Sequence, residues 1–121
     1  MAELLLNSAV IFSVAKLGDR IVGTSLVQCT EPRECSIELL CVDPELQGCG
    51  IGNHLLRRAE HDGAQRLGAN LSNVEVLDQR AWLTEYYERR GYRKMEGSRP
   101  YPHRLRAPAF LLRFAKQLTP R

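Results

Sequence analysis

The chain has 121 residues, of which 44% are hydrophobic and 26% charged, and its formal net charge is +3. That length fits one domain, 1–121, with one core, and the balance excludes disordered and fibrous classes. The longest apolar runs, Leu4–Leu6 and Ala9–Ala15, are far shorter than a membrane span, and no basic leader with a cleavage site is evident, so a cytoplasmic location is expected.

Taken in order, Ala9–Ala15 is β-branched and aromatic and reads as a buried strand. Gly18-Asp19 supplies turn chemistry, and Ile21–Val27 reads as the returning strand of an antiparallel hairpin. Pro32 marks the next turn within Thr30–Glu34. Ser36–Val42 is a third strand, ended by Asp43-Pro44 because proline cannot donate to a central ladder. A helix then places Ile51, Leu55, Leu56, Ala59 and Leu67 largely on one face, with Gly68 as its stop. Gly63 inside it costs about 1 kcal/mol relative to alanine. Leu71–Leu77 is a fourth strand. Ala81–Arg90 is a second helix with Trp82, Leu83, Tyr86 and Tyr87 at core spacing, stopped by Gly91. Tyr92–Met95 reads as a short strand, Ser98–Pro108 as a proline-rich loop, and Ala109–Lys116 as a closing strand. The expected order is β-β-β-α-β-α-β-β, without a strand or helix before the first hairpin.

Charge is divided along the chain. Residues 1–79 hold 6 Lys/Arg and 11 Asp/Glu, a net −5, whereas residues 80–121 hold 11 and 3, a net +8. A basic final third suits a polyanionic ligand, or is simply a solvated arginine-rich surface. It contains no nucleic-acid recognition motif, so nucleic acid is not the expected partner. There are four cysteines, Cys29, Cys35, Cys41 and Cys49; the first three lack zinc-ligand spacing and a nearby histidine, so no metal is expected and the thiols are read as reduced.

The chemistry-bearing stretch is Val42–Gly52. It runs from strand through turn into helix, and its glycines let an anion approach backbone amides that have no intrahelical acceptor. A pyrophosphate fits such a helix start. Gly48, Gly50 and Gly52 give G-x-G-x-G, which misses the dinucleotide fingerprint, and a Walker loop would need a Gly-Lys-Ser/Thr that is absent.

Two ordered motifs resemble the GNAT N-acetyltransferase superfamily. Gln47-Gly48-Cys49-Gly50-Ile51-Gly52 matches its Gln/Arg-x-x-Gly-x-Gly/Ala phosphate loop. Tyr87-Glu88-Arg89-Arg90-Gly91-Tyr92 resembles its Tyr-Glu-x-x-Gly-Phe/Tyr segment, and Gly97-Ser98-Arg99-Pro100-Tyr101-Pro102 resembles a later loop of some microbial members. The likeness spans roughly residues 9–116.

The resemblance implies an α/β (α+β) fold with a central mixed, mostly antiparallel sheet flanked by helices. It implies acetyl-CoA as acyl donor and transfer to a primary amine by direct attack in a ternary complex. It assigns the pantetheine arm to the backbone of Leu40, Cys41 and Val42. The pyrophosphate is assigned to the amides of Gly48, Cys49, Gly50, Ile51 and Gly52, with Gln47 shaping the loop and Asn53 in the first helical turn. Arg80 stands where many members have Asn. Tyr87 occupies the position of the acid that protonates the departing thiolate, whereas its spacing alone reads as core. Glu38 is the candidate base, or equally a solvent-facing strand residue; Glu75, an ordered water and His103 are weaker candidates. His54 and His61 read as surface residues. The family's usual N-terminal wall has little room here, which makes a homodimer an expectation. A non-catalytic acyl-CoA-binding domain and a basic interaction module remain the alternatives, and the amine acceptor is left open.

Overall fold

In the computed structural model, residues 2–7, 10–78, 80–100 and 110–118 are described. They form two units, Met1–Ser72 with Gln117–Arg121, and Asn73–Lys116.

The first unit is an antiparallel meander of β1 (Ala2–Asn7), β2 (Val10–Leu17), β3 (Arg20–Glu31) and β4 (Glu34–Val42), covered by α1 (Ile51–Gln65). The β2–β3 turn falls at Gly18-Asp19, as the sequence predicts, with Leu17 opposite Arg20. Both partners of the hairpin run longer than the apolar stretches that announce them. β1 corrects the expected order: a strand precedes the first predicted hairpin, with Leu4 opposite Phe12. Its short Leu4–Leu6 run carries no alternation, and pairing with β2 supplies what the local pattern does not.

The core of this unit follows from period two on the strands and 3.6 on the helix. Ile11 and Ser13 of β2, and Gly23, Ser25 and Val27 of β3, are buried on one side, and Val22 is buried next to them where the β2–β3 register shifts. Leu55, Leu56, Ala59, Asp62 and Gly63 of α1 pack down on them. Asp62 is a carboxylate on this buried face, and the Nε of Arg58, one turn earlier, donates to it at 3.1 Å. Burial of such a charge is tolerable only with a partner of this kind.

The second unit comprises β5 (Leu71–Leu77) from Asn73 onward, α2 (Ala81–Arg89), β6 (Arg93–Pro100) and β7 (Phe110–Gln117) as far as Lys116. β7 lies between β5 and β6 and pairs antiparallel with β6. Val74, Val76, Tyr87, Tyr92, Phe114 and Ala115 form its buried apolar set. β6 is longer than predicted and takes in Ser98, Arg99 and Pro100, the start of the expected loop. The rest of that loop, Tyr101–Pro108 with His103, lies outside the described residues. Trp82 departs from its core spacing, being 61% exposed, because it lies in the first turn of α2, whereas Tyr87 near the other end is buried.

The fold class is the expected one, α+β with a mostly antiparallel sheet and flanking helices. No described helix is long and apolar enough to cross a membrane.

Candidate functional site

The glycine loop is built outward from Asp43, whose polar groups are each used. Its N–H donates to the Val22 carbonyl at 2.8 Å, tying the end of β4 to β3. Its carbonyl accepts from the Leu46 N–H at 2.9 Å, and its Oδ1 accepts from the Glu45 N–H at 3.0 Å. Its Oδ2 pairs with the Arg20 guanidinium. This network caps the short 3-10 turn Pro44–Leu46, which Pro44 opens with its φ already fixed. The Cys49 N–H then donates to the Leu46 carbonyl at 3.3 Å and closes the next bend.

Gly48 and Gly50 have φ of +87° and +86°, a region costly for any residue with a Cβ. A Cβ built on either would meet nothing within 4 Å beyond its own chain neighbours, so what demands glycine there is conformation rather than crowding. Gly50 is the N-cap of α1 and offers no side-chain cap, and the first turn contains no acidic residue. The first intrahelical bond runs from the His54 N–H to the Gly50 carbonyl at 3.0 Å, so the amides of Ile51, Gly52 and Asn53 precede it. An uncapped helix start with open space before it can receive an anion without displacing a carboxylate of its own. Of the five amides assigned to a pyrophosphate, that of Cys49 is turned inward to Leu46.

A cleft of about 320 Å³ opens beside the loop, between Ala15, Lys16 and Val22 of the hairpin and Cys49, Gly50 and His54. Neither Lys16 nor His54 was placed at a site by the sequence. Lys16 is brought there only by the hairpin register, which no local motif encodes.

β4 carries a feature the sequence does not announce. Thr24 pairs with Cys41 and Leu26 with Glu38, so one step more is taken along β4 than along β3. The extra residue is a β-bulge, with Leu39 at φ +53°. It also flips the side-chain parity. Cys35 and Ile37 face the core before it, whereas Leu39 and Cys41 are exposed and Leu40 and Val42 half-buried after it. A bulge takes backbone groups out of the ladder, and this one falls beside the Leu40–Val42 segment assigned to the pantetheine arm. Glu38, just before the bulge, is exposed, and the Gln28 amide donates to its carboxylate.

The other assigned residues belong to the second unit. Arg80 is exposed and is the N-cap residue of α2; its carbonyl accepts from the Leu83 N–H at 3.0 Å. Tyr87 is buried, its ring edge-on to Tyr86 at 5.3 Å and to Tyr92 at 5.5 Å between centroids. Arg90 stacks on Tyr86, 3.6 Å from the ring centroid. The core reading of Tyr87 is thus correct for its ring. Glu75 is exposed on β5.

All four cysteines are free. Burial pushes the Cys35 thiol up to about 11, opposed by a hydrogen bond with Ser72, so it is inert as a nucleophile. Among the described residues no group of three or more His, Cys, Asp or Glu is arranged to hold a metal ion.

Residues 8–94 match the family model for the acetyltransferase (GNAT) domain, and the chain belongs to that family. No curated protein sequence matches it. Among solved structures, the IAA acetyltransferase from Bacillus cereus ATCC 14579 is similar at 23% identity and a TM-score of 0.80, over 91% of this chain and 79% of that one. A GNAT family acetyltransferase from Elizabethkingia anophelis, with acetyl-CoA bound, shares 16% identity with a TM-score of 0.80, over 92% and 78% of the two chains. A spermidine N-acetyltransferase chimera from Vibrio cholerae and hSSAT shares 17% with a TM-score of 0.77, over 93% and 70%. At these identities the likeness establishes the shared fold.

Proposed function

We propose that the protein is an acetyl-CoA-dependent N-acetyltransferase that moves the acetyl group from the thioester to a primary amine. The observation that carries this reading is the uncapped start of α1, where Gly48 and Gly50 at positive φ leave open space before the helix amides. Family membership and the acetyl-CoA bound by the Elizabethkingia anophelis relative support the choice of anion.

In this reading the amides of Gly48, Gly50, Ile51 and Gly52 hold the pyrophosphate, with Gln47 and Asn53 at the edges of the loop and Arg80 as a further cofactor contact. The Leu40–Val42 backbone orients the pantetheine arm. An amide there stabilises negative charge developing on the thioester oxygen. The amine nitrogen attacks the thioester carbon, the C–S bond breaks, and the thiolate takes a proton from the Tyr87 hydroxyl. Glu38, directly or through water, takes the proton that the amine gives up. No step requires a metal ion.

The non-catalytic alternative draws on one observation, the burial of Tyr87 among aromatic neighbours. A screen of primary amines for thiol release from acetyl-CoA separates the two. Amine-dependent release supports the enzyme, whereas coenzyme binding without release with any amine supports the binding domain.

A further inference from the structure

The glycine that sets the phosphate loop against the sheet is outside the loop. Gly23 lies in β3, opposite Val42, and next to Val22, whose carbonyl receives the Asp43 N–H. A Cβ on Gly23 would stand 2.7 Å from Leu55 Cδ1, 3.1 Å from the Cys41 carbonyl oxygen and 3.2 Å from Ile51 Cγ2. Gly23 does not have positive φ, so its lack of a side chain serves close approach alone. Ile51 and Leu55 are the first residues of α1 that face the sheet, one turn apart. The start of the helix therefore rests in the notch that Gly23 leaves.

A second notch of the opposite sense lies toward the other end of α1. There the glycine is on the helix: a Cβ on Gly63 would stand 2.8 Å from Cys35 Sγ of β4. The two notches fix the height of α1 over the sheet at both ends, but only the first is beside the phosphate loop.

We infer that Gly23 is a positioning residue for coenzyme binding: it seats the first turn of α1 on β3 and so sets where the helix-start amides meet a phosphate. The inference rests on the acetyl-CoA reading above. An alanine at 23 would lift Ile51 and Leu55 together with the amides they carry, since a packed interior transmits such a displacement. Hydrogen bonds to a charged phosphate weaken steeply with distance and angle. Alanine in place of a strand glycine otherwise favours folding, so a loss here is not a propensity effect.

The test compares Gly23→Ala with Gly63→Ala in the intact 121-residue chain. Affinity for desulfo-CoA is measured by calorimetry and stability by urea unfolding. Gly23→Ala is expected to raise the Kd on the order of tenfold, while Gly63→Ala alters stability and leaves the Kd unchanged. If Gly23→Ala does not fold, the same substitution is made in the Leu55→Val background, where the nearest methyl is withdrawn. Unchanged affinity in the Gly23 variant, or equal losses from both, overturns the inference while leaving the coenzyme reading intact. A wild-type protein that binds no desulfo-CoA overturns both.

Discussion

The Thr24 hydroxyl donates a 2.8 Å hydrogen bond to the carbonyl of Leu39, across the bulge between β3 and β4. Leu39 holds a φ of +53°, which costs a leucine roughly 1 kcal/mol, and its side chain is 59% exposed. The bond helps hold a conformation that the residue does not itself favour.

Substitutions at Leu39 should therefore rank by backbone preference rather than by lost packing. Leu39→Asn is expected to keep or raise stability, because asparagine tolerates the left-handed region. Leu39→Val should lower it by about 1–3 kcal/mol. Thr24→Val should cost about 1 kcal/mol by leaving the carbonyl without this donor. Urea unfolding of the three variants checks the order, and a valine at 39 as stable as wild type would contradict the bulge.

Asp43 ties the loop by charge and by geometry, and two variants separate these. Asp43→Asn keeps an acceptor for the Glu45 N–H and should cost about 1 kcal/mol or less, since the Arg20 end of the pair is exposed although the Asp43 carboxylate is largely covered. Asp43→Ala also removes the cap, adding about 1 kcal/mol, and should weaken desulfo-CoA binding by freeing the turn before the loop. Calorimetry beside urea unfolding reads both effects. Equal behaviour of the two variants would assign the node to charge alone.

Cys35 makes stability depend on alkaline pH. Its thiol is held neutral in the fold up to about 11, against 9.0 for an ordinary cysteine. Between those values the unfolded chain loses the proton that the native chain keeps, so stability falls as pH rises. The stabilisation is fully present below the unfolded value and is lost through the folded one, amounting to roughly 2–3 kcal/mol. Subtracting the pH profile of Cys35→Ala from that of wild type, by urea unfolding from pH 8 upward, isolates this contribution. Parallel profiles would show that Cys35 does not titrate differently in the two states.

Tyr87→Phe removes one oxygen and leaves the ring packing against Tyr86 and Tyr92. If the hydroxyl protonates the leaving thiolate, turnover falls by about 10²-fold or more with desulfo-CoA affinity unchanged. Unchanged turnover would leave Tyr87 as a core residue only.

Most strands and helices were legible in the sequence because each carries its own period. Leu71–Leu77 is found with its predicted bounds, and α1 begins at Ile51 as expected. The turn from Asp43 through Gly48 and Gly50 into α1 was legible as well, since its glycines answer to a local conformational need. β1 was missed because pairing, not pattern, makes it a strand. The bulge was missed because leucine gives no sign of positive φ. Lys16 and Gly23 were missed as site neighbours because register and packing bring them to the loop. Local chemistry is written in the chain, whereas contacts between distant segments are not.

The central claim, that the glycine loop at the start of α1 binds the coenzyme, is tested most directly by calorimetric titration of wild type and Gly50→Glu with desulfo-CoA. Gly50 has φ +86° and nothing beyond its chain neighbours within 4 Å of its would-be Cβ, so the glutamate brings strain and a negative charge to the proposed anion site without displacing a core contact. The account predicts saturable one-site binding by wild type and none by a Gly50→Glu variant that retains its fold by circular dichroism. Equal binding by the two proteins, or none by wild type, would contradict it.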